Sequence, residues 1–333
     1  MKKITTLLLA LLLLAAVLAG CGKQNTDNKT DEAEKLSIVT TIFPEYDWVR
    51  EILGDKTDNA EITMLLDNGV DLHSYQPTAD DIIRISDCDL FVYVGGESDG
   101  WVDDALKNAT NKDMKVINLL DVLGDSVKTE ETVEGMQEEE HDHEHEEGEE
   151  HEHEEEKDEH VWLSLRNAET LVAAISNALQ ELDPDNKDTY AANTSAYIEK
   201  LSTLDGEYQQ AVDAASTKTV LFGDRFPFRY LVDDYGLSYY AAFAGCSAES
   251  EASFETISFL AKKVDELNLP CVLTIEGKDH KIAETVIENT TAKNQKILTM
   301  DSMQSTTSED VANGTTYLSV MEQNLGVLKE ALG

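Results

Sequence analysis

Positive charge is scarce in this sequence. Its 333 residues hold 26 Lys and Arg against 67 Asp and Glu, a formal net charge of −41 at pH 7. Phosphate binding needs a basic face, so a nucleic-acid ligand is excluded. Cysteine is scarce too: Cys21, Cys88, Cys246 and Cys271, with no CxxC spacing, stand in the whole chain. That argues against a structural zinc knuckle. The sequence also lacks HExxH, a nucleophile elbow and a phosphate loop, so it reads as a binding protein rather than an enzyme. Finally, no apolar run is long. Residues 7–19 are all Leu, Ala and Val, but a membrane span needs about 20 residues.

That short run has a different use. Lys2 and Lys3 precede it and Leu18-Ala19-Gly20-Cys21 closes it, the layout of a secretory signal. A Cys directly after small residues resembles a bacterial lipoprotein box, which makes Cys21 the lipidated first residue of an extracytoplasmic chain held on the membrane surface. Residues 22–35 carry almost no apolar content and read as a flexible tether. About 300 residues remain, enough for two medium domains, and the 41% hydrophobic content supports real cores. Cys88, in DCDLFVYV, reads as a small core residue. A Cys246–Cys271 bridge is compatible with an extracytoplasmic location, and the sequence leaves it open.

Eight apolar runs alternate with helical patterns: Leu36 to Thr41, Ile62 to Leu66, Leu90 to Val94 and Val116 to Leu119, then Thr219 to Phe222, Tyr239 to Phe243, Cys271 to Ile275 and Lys296 to Met300. Continuous apolar strands separated by helices indicate parallel sheets covered on both faces. Two sets of four indicate two α/β lobes, over residues 36–182 and 217–333. Between them, residues 183–216 read as one long amphipathic helix, with Asp183 as its cap and Pro184 in its first turn. Tyr190, Tyr197, Leu204 and Ala211 recur every seven residues, and Ala191, Thr194, Leu201, Tyr208 and Val212 fill the adjacent stripe. Some 30 residues span roughly 45 Å, so this helix can link two lobes stiffly.

The histidines carry the chemistry. Residues 130–159 hold 18 Asp or Glu and one Lys, and within them lie His141, His143, His145, His151 and His153. This stretch lacks apolar periodicity and reads as a loop that collects metal loosely through exposed imidazoles and carboxylates. The other three histidines are singletons. His73 and His280 follow the carboxyl ends of strands, where ligands of open α/β sheets bind, and His160 starts a helical pattern. Imidazole is the commonest metal ligand near neutral pH.

These residues resemble a family, the metal-binding lipoproteins of zinc and manganese ABC importers. VTTIFPEYDWV is similar to its first strand and turn, GVDLHSYQPTADDI to its GxDPHxYEPT motif with Leu72 in place of Pro, and EHVWLSLRNA to its PHxWLDP motif. LDPDNKDTYAANTSAYIEKL resembles the start of its interlobe helix and SAESEAS its ExEPS stretch. The resemblance implies two Rossmann-like lobes with parallel four-stranded sheets joined by a long rigid helix, and a metal buried in the cleft between them. It carries the first two ligands to His73 and His160. At the third, usually His or Glu, the stretch LFGDRFPFRYLVDDYGL sets Arg225. Arg has no lone pair to offer a metal, so Arg225 pairs with an acid in the cleft or binds an anion. The fourth, usually acidic, falls near Glu276, Asp279 and His280, and His280 is the expected substitute imidazole, with Asp224 a weaker candidate.

The resulting expectation is a monomeric carrier that captures a divalent transition metal and delivers it to an ABC permease. Three imidazoles and one carboxylate favour zinc over manganese, which prefers oxygen donors. A manganese or iron carrier is the alternative. An extracellular zinc hydrolase with Glu276 as base, and a surface adhesin, are remoter readings.

Overall fold

The computed structural model describes residues 35–137, 156–247, 251–277 and 279–333. The expectations for Cys21, for residues 22–34 of the tether, and for His141, His143, His145, His151 and His153 lie outside the described residues.

The apolar runs become short buried strands. β1 is Leu36–Thr40, followed by helix α1, Phe43–Leu53; β2 is Ala60–Met64 and α2 Ala79–Asp87. β3 is Leu90–Tyr93, α3 Val102–Lys107, β4 Lys115–Asn118 and α4 Leu119–Leu123. Two helices follow, α5 over Leu165–Leu182 and α6 over Lys187–Ala214. The second half runs β5 Thr219–Phe226, α7 Arg229–Tyr235, β6 Ser238–Ala244, α8 Phe254–Leu267, β7 Cys271–Thr274, α9 Lys281–Glu288 and β8 Lys296–Thr299. It ends on α10, Ser308–Ala312, and α11, Tyr317–Leu332. All four residues of β3 and of β7 are buried, as strands covered on both faces must be.

The strands form two four-stranded sheets, ordered β2-β1-β3-β4 and β6-β5-β7-β8, and every pair is parallel. The order repeats between the halves without a close sequence repeat. Because all strands of a sheet run one way, each lobe gathers the loops after its strands along a single edge, the ligand edge of open α/β sheets.

Helix α6 joins the lobes. Its 28 residues extend for about 42 Å. Tyr190, Thr194, Tyr197, Leu201, Leu204, Tyr208 and Val212 are its buried stripe, at spacings of three or four. It starts later than the sequence suggests. Asp183 ends α5, its amide bonded to Leu179 O, and Pro184 lies in the turn between helices. The Asp183 carboxylate accepts Tyr190 Oη–H at 2.6 Å and Asn186 Nδ2–H at 2.8 Å, so it holds the turn through side chains instead of capping the backbone of α6. Near its start Asn193 donates to Ile52 O of α1 (2.9 Å), and near its end Tyr208 donates to Met321 O of α11 (2.6 Å). The helix is thereby tied to both lobes.

The floor between the lobes is also fixed. Fully buried Trp162 donates its indole N–H to Ser302 O beyond β8 (2.8 Å), and Tyr317 of α11 donates to Trp162 O (2.7 Å) and meets Trp48 of α1 edge to face. Burying an aromatic of this size contributes on the order of 2–3 kcal/mol. Among the described residues no helix is long and apolar enough to cross a membrane.

Candidate metal centre

His73 sits on a single 3-10 turn, Leu72–Ser74, beyond β2. Asp71 starts that turn by accepting the His73 amide at 3.0 Å, and Leu72 anchors it with a fully buried side chain. The imidazole Nδ1 lies 2.8 Å from Ser98 Oγ and 3.4 Å from Glu159 Oε2. His160 precedes a second 3-10 turn, Val161–Leu163, that leads into α5. Its ring is fully buried, and Asp158 Oδ1 accepts both its amide (2.9 Å) and its Nδ1–H (3.0 Å). Tyr230 of the second lobe donates to Asp158 O at 2.8 Å, which ties the segment carrying Asp158, Glu159 and His160 across the cleft.

These partners orient the rings. An ionised carboxylate only accepts hydrogen bonds, so Asp158 holds the proton on His160 Nδ1 and turns His160 Nε2 toward His73; Nδ1 of His73 faces the Ser98 hydroxyl, with Glu159 Oε2 at 3.4 Å. The two Nε2 atoms face each other at 3.2 Å. Two nitrogens bound to one tetrahedral zinc at about 2.0–2.1 Å stand roughly 3.3–3.4 Å apart. The pair is therefore already spaced for a shared ion.

A third donor completes the group. Cys246, two residues past β6, places its sulfur so that the ligand atoms of His73, His160 and Cys246 all lie within 4.8 Å of one another. Glycine at 245 makes the approach feasible: a Cβ there would stand 2.9 Å from Phe226 O and 3.0 Å from His160 Cε1. The Cys246 amide is held by Glu130 Oε1 at 2.9 Å. Cys246 and Cys271 are both free thiols, so the bridge left open by the sequence is not formed. Cys88 is the buried core residue expected.

The other expected donors are elsewhere. Glu276 caps the loop beyond β8: it accepts the Ser302 amide (2.7 Å), the Ser302 hydroxyl (2.7 Å) and the Gln304 amide (3.2 Å). Asp279 is exposed and paired with Lys281. His280 forms the start of α9, half-buried, its Nδ1 buried without a hydrogen-bond partner. None of the three stands in the group around the His pair. Asp224 is half-buried and accepts the amides of Arg225 (2.9 Å) and Ile275 (3.3 Å). Arg225 turns away from any metal role and pairs with Asp71 at 2.7 Å.

Charge around the pair is anionic. Burial alone pulls His160 down, but Asp158, Glu159 and Asp71 outweigh it and raise the ring above its ordinary value. Burial pushes the Glu159 carboxyl up, yet His73 and Ser98 more than offset this and hold it low. Burial, then Glu130, Asp158 and Glu159, push the Cys246 thiol up. Burial also raises Asp99 to about 7, with Glu159 adding to it. Such a concentration of acids behind two imidazoles suits a dication, which the acids balance. Three of these residues escape a sequence reading. Cys246 looks like any extracytoplasmic cysteine until β6 brings it to the cleft. Asp158 and Glu159 look like the tail of an acidic run.

Residues 38–331 match the family model for ZnuA, the zinc-uptake complex component A periplasmic. The chain belongs to this family. Zinc-binding lipoprotein AdcA of Streptococcus pneumoniae is 34% identical over 330 residues, covering 99% of this chain but 61% of AdcA. High-affinity zinc uptake system protein ZnuA of Bacillus subtilis is 33% identical over 317 residues, covering 95% of this chain and 94% of its own. The crystal structure of the Zn(II)-bound ZnuA-like domain of S. pneumoniae AdcA superposes with a TM-score of 0.68 at 31% identity, covering 90% of this chain and 99% of that one. The two parallel sheets and the long linking helix are thus the architecture of the ZnuA family.

Proposed function

We propose that this ZnuA-family chain captures zinc in the cleft between its lobes and hands it to the membrane permease of an ABC importer, held at the outer membrane surface through a lipid on Cys21. It performs no turnover. The observation that carries this reading is the 3.2 Å approach of His73 Nε2 and His160 Nε2, with Asp158 hydrogen-bonded behind His160 and Glu159 3.4 Å behind His73. A carboxylate behind a ligating histidine sets its tautomer and raises its basicity. The zinc named for its AdcA and ZnuA relatives supports the choice of metal. Imidazole donors favour zinc over manganese in the same direction.

The test is titration of the metal-stripped soluble chain, residues 22–333, with zinc against a competing chelator. One tight equivalent is expected, with a rise in melting temperature, because a ligand that binds only the native state stabilises it by about 4 kcal/mol at 1,000 times its dissociation constant. His73→Ala and His160→Ala should each lower affinity by orders of magnitude. Parent protein with no tight equivalent of zinc would overturn the proposal.

A further inference from the structure

We infer that Cys246 is a metal ligand, contributing a thiolate from the second lobe beside the two imidazoles of the first. The inference rests on the zinc-carrier reading above and deepens it: the cleft becomes a mixed nitrogen–sulfur site that selects zinc-like, sulfur-tolerant dications over manganese.

Four observations converge. The Cys246 ligand atom shares a 4.8 Å sphere with those of His73 and His160, and among the described residues these three form the group able to hold an ion. The thiol is free. The backbone that presents it is fixed, with Cys246 N bonded to Glu130 (2.9 Å) and Gly245 packed against the His160 ring without a Cβ to hold it off. Arg225, whose strand neighbours β6, is committed to Asp71 and offers no donor. A tetrahedral zinc with two nitrogens at about 2.05 Å and one sulfur at about 2.3 Å puts the sulfur roughly 3.6 Å from each nitrogen, within the observed span.

The chemistry balances simply. Zinc takes a lone pair of the sulfur, the thiol proton leaves to solvent, and no electrons are exchanged. Capture through this ligand joins the lobes, since His73 and His160 belong to the first sheet's loops and Cys246 to the second's.

Cobalt(II) reports the ligand directly. The soluble chain loaded with cobalt should show the near-ultraviolet charge-transfer band of a thiolate-bound ion, absent in Cys246→Ser and retained in Cys88→Ser and Cys271→Ser. Zinc competition should show at least a hundredfold loss of affinity in Cys246→Ser, beyond the 10–100-fold that removing a partner behind a ligand costs. Zinc should also protect one thiol of the parent from alkylation. One tight zinc in the parent with no charge-transfer band, and unchanged affinity in Cys246→Ser, would overturn the ligand and leave the carrier reading standing. A parent that takes up no tight zinc would overturn both.

Discussion

Arg225 Nη2 lies 2.7 Å from Asp71 Oδ2, an ion pair that crosses the cleft from β5 of the second lobe to the turn that carries His73 in the first. The other oxygen of Asp71 accepts the His73 amide at 3.0 Å. One carboxylate therefore neutralises the Arg225 guanidinium and shapes the turn of a candidate ligand. Burial raises the Asp71 carboxyl, but Arg225 and then His73 more than reverse this and hold it below its ordinary range.

Asp71→Asn keeps the acceptor for the His73 amide and removes the counter-charge. Arg225 then faces the cleft unbalanced and repels a dication. Zinc affinity should fall about tenfold or more, and Arg225→Gln in the Asp71→Asn background should restore most of it. Chelator competition on the four proteins of this cycle measures the coupling. Strictly additive effects would show that the pair does not act on the metal.

The carboxylates behind the rings make a second prediction. Asp158 Oδ1 holds His160 Nδ1 at 3.0 Å and Glu159 Oε2 lies 3.4 Å from His73 Nδ1. Asp158→Asn and Glu159→Gln should each weaken zinc binding roughly 10–100-fold while the protein stays folded. Far-ultraviolet circular dichroism checks the fold and competition titration checks the affinity; parental affinity in both variants would remove the carboxylates from the account.

The sequence disclosed the lobes and the His pair because both signals are local. Strands announce themselves as apolar runs, and GVDLHSYQPT and EHVWLSLRNA each surround one histidine in a few residues. The second-lobe side of the site was not legible. A charge argument requires that Arg225 be neutralised, and it points to Glu276 or Asp279 of the same lobe; the acid that pairs with it is Asp71, brought from the other sheet. Glu276 instead serves the Ser302–Gln304 loop, where three donors occupy it. Cys246 reaches the imidazoles only through the register of β6 on β5, which no spacing in the sequence encodes.

The His-rich segment should be dispensable for tight binding. Its stems are closed by the Thr129–Lys157 bridge and by Glu130 N–H donating to Glu156 O at 2.8 Å, and His73, His160 and Cys246 all lie outside it. Replacing residues 138–155 with a short Gly-Ser linker spares these stems. The variant should keep one tight zinc and lose the weak equivalents contributed by His141, His143, His145, His151 and His153. Calorimetric titration separates the two classes, and loss of the tight equivalent would mean that the segment supplies a primary donor.

Asp47 supplies a test of stability that is independent of the metal. It is 2% exposed on α1, and its Oδ2 accepts the Tyr317 amide at the start of α11 (2.9 Å), joining the first lobe to the last helix. Burial pushes its carboxyl up to about 6; the Tyr317 amide works against this and Glu51 adds to it. In the unfolded chain an Asp titrates near 3.9. Between these values the folded state binds the proton that the unfolded state has lost, so stability falls as pH rises from about 4 through about 6, and the full cost of the buried charge is present above that. A shift of about two units sets an upper limit of roughly 3 kcal/mol. Asp47→Asn keeps an acceptor for Tyr317 and abolishes the charge. Its gain in stability over the parent should therefore be small near pH 4 and should grow to about 1–3 kcal/mol at pH 7.5. Urea unfolding of the metal-stripped proteins at the two pH values reads this directly. An equal difference at both would mean that the carboxyl ionises in the folded protein as it does in the unfolded chain.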